Sequence, residues 1–333
     1  YDISKKAGVS IATVSRVLNG SENVRPSTRK KVMDVIDKYD YTPNAFARGM
    51  GLHSLKTIGI LCADSSDLFL AKAVYFLEQE LQANGYESLL CCTGYNPDIK
   101  KNYLNLILSK KVDSIILVGS HFIGFNEDEN QYIKDVSTQV PIMLLNASFD
   151  HPNVYSTLCD DYGTMFEAAT EMIQSGITDI LYLYDSKSYS GLKKLHGFCD
   201  AMKEHNIPGF EKLIHFYDGN IEHLNEVADF VARIATKGTS FHGIMTSDDS
   251  LAIGSIKYAQ KKGIRIPEEL SVMGYNNSML TNCCTPELTS VDNRLETQTH
   301  QLVQTLLGVL AGEEMPKKSI FSGKIIKRGT TLF

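Results

Sequence analysis

The sequence predicts an all-α head followed by a larger α/β core of two lobes, each built on a doubly wound parallel sheet. Residues 2–20 fit two short helices joined by a tight turn. From Thr57 onward, apolar runs of strand length alternate with amphipathic segments, as in parallel sheets covered by helices on both faces. Residues 1–57 hold ten Lys and Arg against five Asp and Glu, a net charge of +5, which leaves −11 for the remainder. A basic head on an acidic body is typical of a DNA-binding module joined to a domain with another ligand.

Length and composition point to an intracellular globular protein. The chain has 333 residues, enough for two or three domains, and 43% of them are hydrophobic. It shows no apolar run of membrane-spanning length and no signal-peptide pattern. Its seven cysteines include the adjacent pairs Cys91-Cys92 and Cys283-Cys284 but lack zinc spacing. We therefore expect buried thiols, a reducing cytoplasm, and neither a metal nor a cofactor.

The two opening helices are predicted from their apolar spacing and their caps. Ile3 and Ala7 stand four residues apart on one face, and Gly8 can end the first helix with a positive φ. Ser10 can cap the second helix. The buried stripe of that helix is formed by Val14, Val17 and Leu18. Its exposed face is formed by Ile11, Ala12, Thr13, Ser15, Arg16 and Asn19. This face is short, forms hydrogen bonds and carries one cation, which suits a DNA major groove, although a helical hairpin that only packs is the alternative.

A third helix is predicted from about Ser27 to Tyr39, with Ser27 as its N-cap after Pro26. Its core face is formed by Val32, Val35, Ile36 and Tyr39. The exposed Lys30 and Lys31 are either phosphate contacts or a solvated face. The dipeptide Pro43-Asn44 then breaks the chain.

The core is predicted from nine apolar strands separated by helices. The strands are Thr57–Ala63, Glu87–Thr93, Ser114–Gly119, Pro141–Asn146, Val154–Asp160, Asp179–Asp185, Lys212–Asp218, Gly243–Asp248 and Leu270–Asn276. Helices are expected at Leu68–Asn84, Tyr162–Ser175, Leu192–His205, Leu251–Lys262 and Leu295–Leu310. The chain is expected to cross between lobes near Cys159–Asp161 and Leu288–Asn293.

Strand order also predicts a ligand cleft, since ligands of open parallel sheets bind beyond the carboxyl ends of the strands. With two lobes facing each other, those ends line one cleft. The expected lining is Asp64–Phe69, Asp160, Ser186–Lys194, Asp218, Asp248-Asp249 and Asn276.

The run from Ala7 to Gly20, AGVSIATVSRVLNG, resembles the head-piece of the LacI/GalR family of bacterial repressors, and the resemblance extends from Tyr1 to Thr331. It implies a helix-turn-helix domain at 1–42, a hinge at 43–56 and a periplasmic-binding-protein-like core at 57–333. Within the core it implies an N-lobe of 57–160 and 291–320 and a C-lobe of 161–290 and 321–333. In the family, the hinge becomes a helix on DNA and wedges an apolar residue into the minor groove. The matching residue here is Met50 between two glycines, or the segment is merely a linker.

The core departs from the family pattern at several cleft positions. Asp67-Leu68-Phe69-Leu70 stands where Asn-Pro-Phe-Phe is usual, and Lys194 replaces an arginine that clamps ligand hydroxyls. Asp248 and Asn276 exchange acid and amide relative to the family. The candidate effector-binding residues are Asp67, Phe69, Asp160, Tyr189, Lys194, Tyr217, Asp248 and Asn276. Extra acids and one lysine favour a polyol or an amine and disfavour a phosphorylated sugar. The aromatic residues could equally pack between the lobes, and Asp160 and Asp218 could be solvated.

These inferences predict a cytoplasmic transcription regulator, a repressor, that binds pseudo-palindromic operator DNA as a homodimer and responds to a sugar or polyol. The candidate DNA-binding residues are Ser10, Ile11, Ala12, Thr13, Ser15, Arg16, Asn19, Asn23, Thr28, Asn44 and Met50. Arg16 is expected to read a guanine, and Ile11 and Ala12 to contact thymine methyl groups. A transport-type sugar-binding protein is the first alternative. An enzyme using Lys194, Asp248 and Asp249 is the second, but no nucleophile elbow or phosphate-binding loop accompanies them.

Overall fold

The computed structural model describes residues 2–18, 21, 23–39 and 54–333. The head holds helices α1 (Asp2–Ala7), α2 (Ile11–Leu18) and α3 (Pro26–Lys38). Gly8 ends α1 with φ +66°, and the Ser10 hydroxyl accepts a hydrogen bond from the Thr13 amide at 3.1 Å, as predicted. The three helices enclose one apolar cluster formed by Ile3, Ala7, Val14, Val17, Val24, Val32 and Ile36.

Two predictions for α3 are wrong. Its N-cap is Arg25, with Pro26 in the first turn and no capping side chain, so Ser27 lies inside the helix. Proline already supplies the φ of a first helical residue and lacks the amide that a cap would satisfy. Tyr39 is 50% exposed rather than part of the core. The Lys6 ammonium lies 3.4 Å from the centroid of its ring, a cation–π contact at the surface of the head.

The core contains two six-stranded sheets. In chain order its strands are β1 (Thr57–Cys62), β2 (Glu87–Cys92), β3 (Ser114–Val118), β4 (Ile142–Leu145), β5 (Val154–Cys159), β6 (Ile180–Tyr184), β7 (Ile214–Phe216), β8 (Gly243–Thr246), β9 (Ser271–Tyr275), β10 (Thr289–Asp292), β11 (Lys318–Phe321) and β12 (Lys324–Ile326). The first sheet has the order β11-β5-β4-β3-β1-β2 and the second β12-β10-β9-β8-β6-β7. All pairs are parallel except β10 with β12, so the second sheet has one antiparallel edge.

Helices cover both faces of each sheet. They are α4 (Leu68–Ala83), α5 (Pro97–Ser109), α6 (Gln131–Ser137), α7 (Asp161–Gln174), α8 (Tyr189–Glu204), α9 (Leu224–Thr236), α10 (Asp249–Lys262) and α11 (Leu295–Leu310). On the first sheet, α4 and α11 bury one face and α5 and α6 the other. On the second sheet, α7 and α8 oppose α9 and α10. The result is two lobes, each with its own two-sided core.

The chain passes between the lobes three times. It leaves the first sheet after β5, returns through α11 after β10, and crosses once more between β11 and β12. Because β11 pairs with β5 and β12 pairs with β10, residues 318–326 supply an edge strand to each sheet.

The cysteines are only partly buried, which corrects the expectation of buried thiols. Cys92 and Cys283 are exposed, whereas Cys62 and Cys159 are buried. Cys92 is exposed because β2 is the outer strand of its sheet, and the solvent side of an edge strand remains uncovered.

Candidate DNA-binding helix and ligand cleft

Helix α2 presents a polar face opposite its buried stripe. Val14 and Val17 are buried, while Ser10, Ala12 and Arg16 are exposed and Ile11 is 53% exposed. Thr13 and Ser15 are half-buried at the edges of this face. A helix that is fixed on one side and carries short polar side chains and one arginine on the other can enter a major groove.

The other candidate DNA-binding residues lie outside α2. Asn23 is exposed in the turn before α3, and Thr28 is half-buried in its first turn. The Arg29 guanidinium donates to the Ser21 carbonyl at 2.6 Å, which ties that turn to α3. Asn19, Asn44 and Met50 lie outside the described residues. None of the described helices combines the length and apolarity required to span a membrane.

The predicted cleft lies between the two lobes, at the point where the strand order of each sheet reverses. In the first lobe, Asp67 follows β1 and Ser120 follows β3; in the second, Asp185 follows β6 and Asp248 follows β8. In both sheets these are the two strands at the reversal, where a crevice opens because the helices leave in opposite directions. Ser120 donates to Ser188 across the cleft, at 2.8 Å between the hydroxyl oxygens.

The cleft has two connected compartments. The inner compartment has a volume of about 80 Å³, and its polar lining includes Asp67, Asn146, Asp185, Ser190, Lys194, Asp248 and Asn276. The outer compartment has a volume of about 710 Å³, and its lining includes Asp64, Leu68, Tyr95, Phe216, Tyr217, Asp218, Ile221, Glu222 and Leu280. Asp67, Asp185 and Asp248 border both compartments.

Asp67 is the N-cap of α4, and its Oδ1 accepts a hydrogen bond from the Leu70 amide at 2.8 Å. Burial, together with the nearby charges of Asp248 and Asp185, raises the pKa of Asp67 to about 6, although the cap hydrogen bond opposes the shift. The inner compartment therefore concentrates negative charge and acceptor oxygens.

Asp248 and Asn276 are held as a pair. Asp248 caps α10 through the Ser250 amide at 2.7 Å, and its Oδ2 accepts from the Asn276 amide nitrogen at 2.9 Å. Asn293 donates to the Asn276 side-chain oxygen at 3.0 Å. Asn276 has φ +95°, a conformation that Asn adopts more readily than most residues. Burial and the charge of Asp185 raise the pKa of Asp248.

Lys194 is buried beneath the inner compartment, where its ammonium is already engaged. Its Nζ donates to the Ser247 carbonyl at 3.0 Å and lies 4.0 Å from the centroid of the Tyr275 ring. Tyr275 in turn donates to Asp161 at 2.6 Å, and Ser190 also donates to Asp161. Burial raises the pKa of Asp161, and Lys194 partly offsets that effect. Lys194 thus places one positive charge at the inner compartment, near the buried Asp161.

Two of the candidate effector-binding residues lie elsewhere, and Asp249 of the expected lining borders neither compartment. Asp160 is exposed and caps α7 by accepting from the Gly163 amide at 3.0 Å. Its neighbour Asp161 is the buried carboxylate, because the first residue of α7 turns inward and the cap turns outward. Tyr189 is not among the residues that line either compartment, because α8 begins there and the serines on either side of it face the cleft. Phe69 lines the inner compartment, and Tyr217 lines the outer one from within the core of its lobe.

The structure adds cleft residues that are not among the candidate effector-binding residues, although strand order places them at the cleft. Ser120, His121 and Asn146 follow β3 and β4, and Asp185 follows β6. The sequence signal that could have identified them is a polar residue directly after a buried strand.

Burial and the nearby Lys100 lower the pKa of His121 to about 4, so its ring is neutral near pH 7. Among the described residues, no group of His, Cys, Asp and Glu could hold a metal ion.

Comparisons with known proteins give a family match for the head and another for the core. Residues 1–44 match the model for bacterial regulatory proteins of the lacI family, and residues 169–331 match that for the periplasmic binding protein-like domain. An HTH-type transcriptional regulator of Lachnoclostridium phytofermentans is 50% identical over 100% of this chain and 99% of its own. Catabolite control protein A of Priestia megaterium is 32% identical over 87% of this chain and 86% of its own.

Solved structures share the whole fold. The Lac repressor dimer bound to operator and the anti-inducer ONPF superposes with a TM-score of 0.87 at 20% identity, covering 100% of this chain and 98% of that one. A complex of the regulator CelR with cellobiose gives a TM-score of 0.71 at 20% identity, covering 98% of each chain. The fold and the relatives are those of transcriptional regulators rather than enzymes. The chain therefore belongs to the LacI family of bacterial regulatory proteins.

Proposed function

We propose that this regulator is a cytoplasmic repressor that binds a pseudo-palindromic operator as a homodimer and changes its affinity when a sugar or polyol occupies the cleft. The proposed units are the head at 1–42, the hinge at 43–56 and the core at 57–333. The exposed face of α2 reads bases with Arg16, Ile11 and Ala12. Its flanking hydroxyls hold phosphates. Asn19, Asn44 and Met50 remain part of this proposal.

The observation that carries the effector proposal is the polar lining of the inner compartment, which comes from both lobes. Carboxylates, amides and serine hydroxyls surround it, with Lys194 as the lining cation. Such groups suit the donors and acceptors of a hydroxylated ligand, whereas a phosphate would meet Asp67, Asp185 and Asp248. A ligand that contacts both lobes also favours their closed arrangement over an open one, and this difference can bias the DNA-binding heads. A Lac repressor complex with operator and a CelR complex with cellobiose share this fold and support the proposal.

Binding-site selection on random duplexes, followed by fluorescence anisotropy across a salt series, tests the DNA-binding part. We expect a symmetrical site whose affinity falls as salt rises, because phosphate contacts release counterions. A chain with no sequence preference at any salt concentration would contradict the proposal.

A thermal-shift screen of the full chain against sugars, polyols and nucleosides tests the effector. A ligand specific to the folded state raises the melting temperature. A hit should also change operator affinity, and it should lose its effect in Asp248→Ala, which removes a side chain bordering both compartments. A nucleoside hit without any sugar or polyol hit would overturn the proposed effector class.

A further inference from the structure

The two compartments differ in size. One water-sized group needs about 10–15 Å³ of cavity volume, so the inner compartment, at about 80 Å³, accommodates on the order of six such groups, roughly half of the heavy atoms of one sugar unit. The outer compartment, at about 710 Å³, is several times larger. Because Asp67, Asp185 and Asp248 border both, a ligand can run from one into the other without leaving the cleft.

The outer compartment also differs in chemistry. Tyr95, after β2, is 52% exposed, and its ring meets the ring of His121 in an edge contact at 4.8 Å. Phe216, at the end of β7 in the other lobe, also lines this space and is half-buried. The rest of the lining mixes the carboxylates Asp64 and Asp218 with apolar side chains such as Leu68 and Leu280. The outer compartment therefore offers aromatic rings from both lobes together with carboxylates that can accept hydrogen bonds.

This combination fits a second sugar unit. A pyranose ring has apolar C–H faces and a belt of hydroxyl groups around its edge. Aromatic rings bury such faces, and carboxylates accept from such hydroxyls. A phosphate would again meet acidic groups, and a purely apolar extension would offer no hydrogen-bond donor to Asp64 and Asp218.

We propose that the effector is an oligosaccharide of at least two sugar units, with the first unit entering the inner compartment and the next lying in the outer compartment against Tyr95 and Phe216. This inference rests on the proposed function, since it assumes a carbohydrate in the cleft. The inference adds that affinity depends on the number of sugar units in the ligand. It also assigns Tyr95 and Phe216 as the residues that contact the second unit.

Titration calorimetry on the full chain tests this proposal. The probes are glucose, galactose, mannose and xylose, each compared with its β-1,4-linked disaccharide. We expect one disaccharide to bind at least about tenfold more tightly than its monosaccharide, the gain of one aromatic contact with its buried area. A monosaccharide that binds as tightly as every disaccharide overturns this inference and leaves the proposed function intact. If no carbohydrate binds, the proposed effector class fails, and this inference fails with it.

The variants Tyr95→Ala and Phe216→Ala identify the subsite. Each should lower the affinity ratio of disaccharide to monosaccharide toward one, with unfolding midpoints recorded to verify folding. The matched control is Phe125→Ala, which removes a 73% exposed ring that lines neither the inner nor the outer compartment. The control should keep the full ratio. A ratio that falls in Phe125→Ala and persists in Tyr95→Ala overturns the assignment.

Discussion

At the scale of single residues, the cleft holds acidic groups in an arrangement that costs stability. Burial weakens the hydration of Asp67 and Asp248, and the charge of Asp185 repels both carboxylates. Next to Asp248, Asp249 lines neither compartment; burial and the charge of Asp248 raise its pKa to about 7, although Ser290 and Ser278 donate to it. Such groups are retained at binding sites because a ligand can use the acceptors that the fold leaves available.

Asp67→Asn should stabilise the protein at neutral pH. The folded-state pKa of about 6 lies above the ordinary 3.8, so the folded protein binds this proton more tightly than the unfolded chain. The contribution of this bound proton to the free energy of unfolding is fully present below pH 3.8, and it is lost as the pH rises through 6. Removing the charge should raise the free energy of unfolding at pH 7 by roughly 1–3 kcal/mol, while Asn preserves the cap. Urea unfolding from pH 4 to 7 measures this.

Asp160→Asn is the matched control, because Asp160 is also the N-cap of a core helix but is exposed. It should give no comparable gain at pH 7. Equal pH profiles for the wild-type protein and Asp67→Asn would contradict the burial argument.

Arg16→Ala should cost about 1–3 kcal/mol of operator binding and relax one base position, the effect of losing a bidentate contact to guanine. Arg16→Lys separates charge from geometry. It should retain the salt dependence but lose the base preference, since lysine has no planar fork. Site selection with each variant measures both effects, and unchanged selectivity in Arg16→Ala would remove this residue from base reading.

Residue identity at the cleft was predictable only to within a position or two. Asp67, Lys194, Asp248 and Asn276 border the inner compartment as expected from strand order. Asp160 does not, because a helix cap and the residue after it face opposite ways, and no sequence pattern here marks which one turns inward.

At the scale of elements, the turn between α1 and α2 depends on backbone conformation. A Cβ atom on Gly8 would meet no atom within 4 Å, so the cost of a side chain there comes from its φ of +66°. Gly8→Ala should therefore destabilise the head by about 1–2 kcal/mol. Hydrogen exchange of the α1 and α2 amides in the full chain measures this as faster exchange. Gly8→Asn is the control, because Asn tolerates this conformation and should exchange more slowly than the Ala variant. Equal exchange in the Gly8→Ala variant and the wild-type protein would mean that the turn relaxes.

All nine strands that the sequence predicted are present, with ends shifted by one or two residues. The three strands that it did not predict, β10 to β12, have four residues or fewer. On β11 and β12 every side chain is exposed or half-buried, so no buried apolar run marks these strands. Their pairing is decided by distant partners, which local pattern cannot reveal.

At the scale of the whole molecule, the two lobes depend on one short segment. A chain ending at Lys317 would lack both edge strands and also Thr330, which accepts from the Thr289 amide and donates to the Val272 carbonyl. We expect it to lose cooperative unfolding in both lobes and to bind apolar dyes. The control Ile320→Ala removes a 55% exposed side chain from β11 but keeps the backbone pairing, and it should change stability by less than about 0.5 kcal/mol. Cooperative unfolding of the truncated chain would contradict this dependence.

The same interleaving sets an order of events during synthesis. The head completes its apolar cluster within residues 3–36, so it can fold as soon as that stretch clears the ribosome. Neither sheet obtains its last strand until residues 318–326 emerge. A stalled or prematurely terminated product would therefore carry a complete DNA-binding head without a complete ligand-binding core.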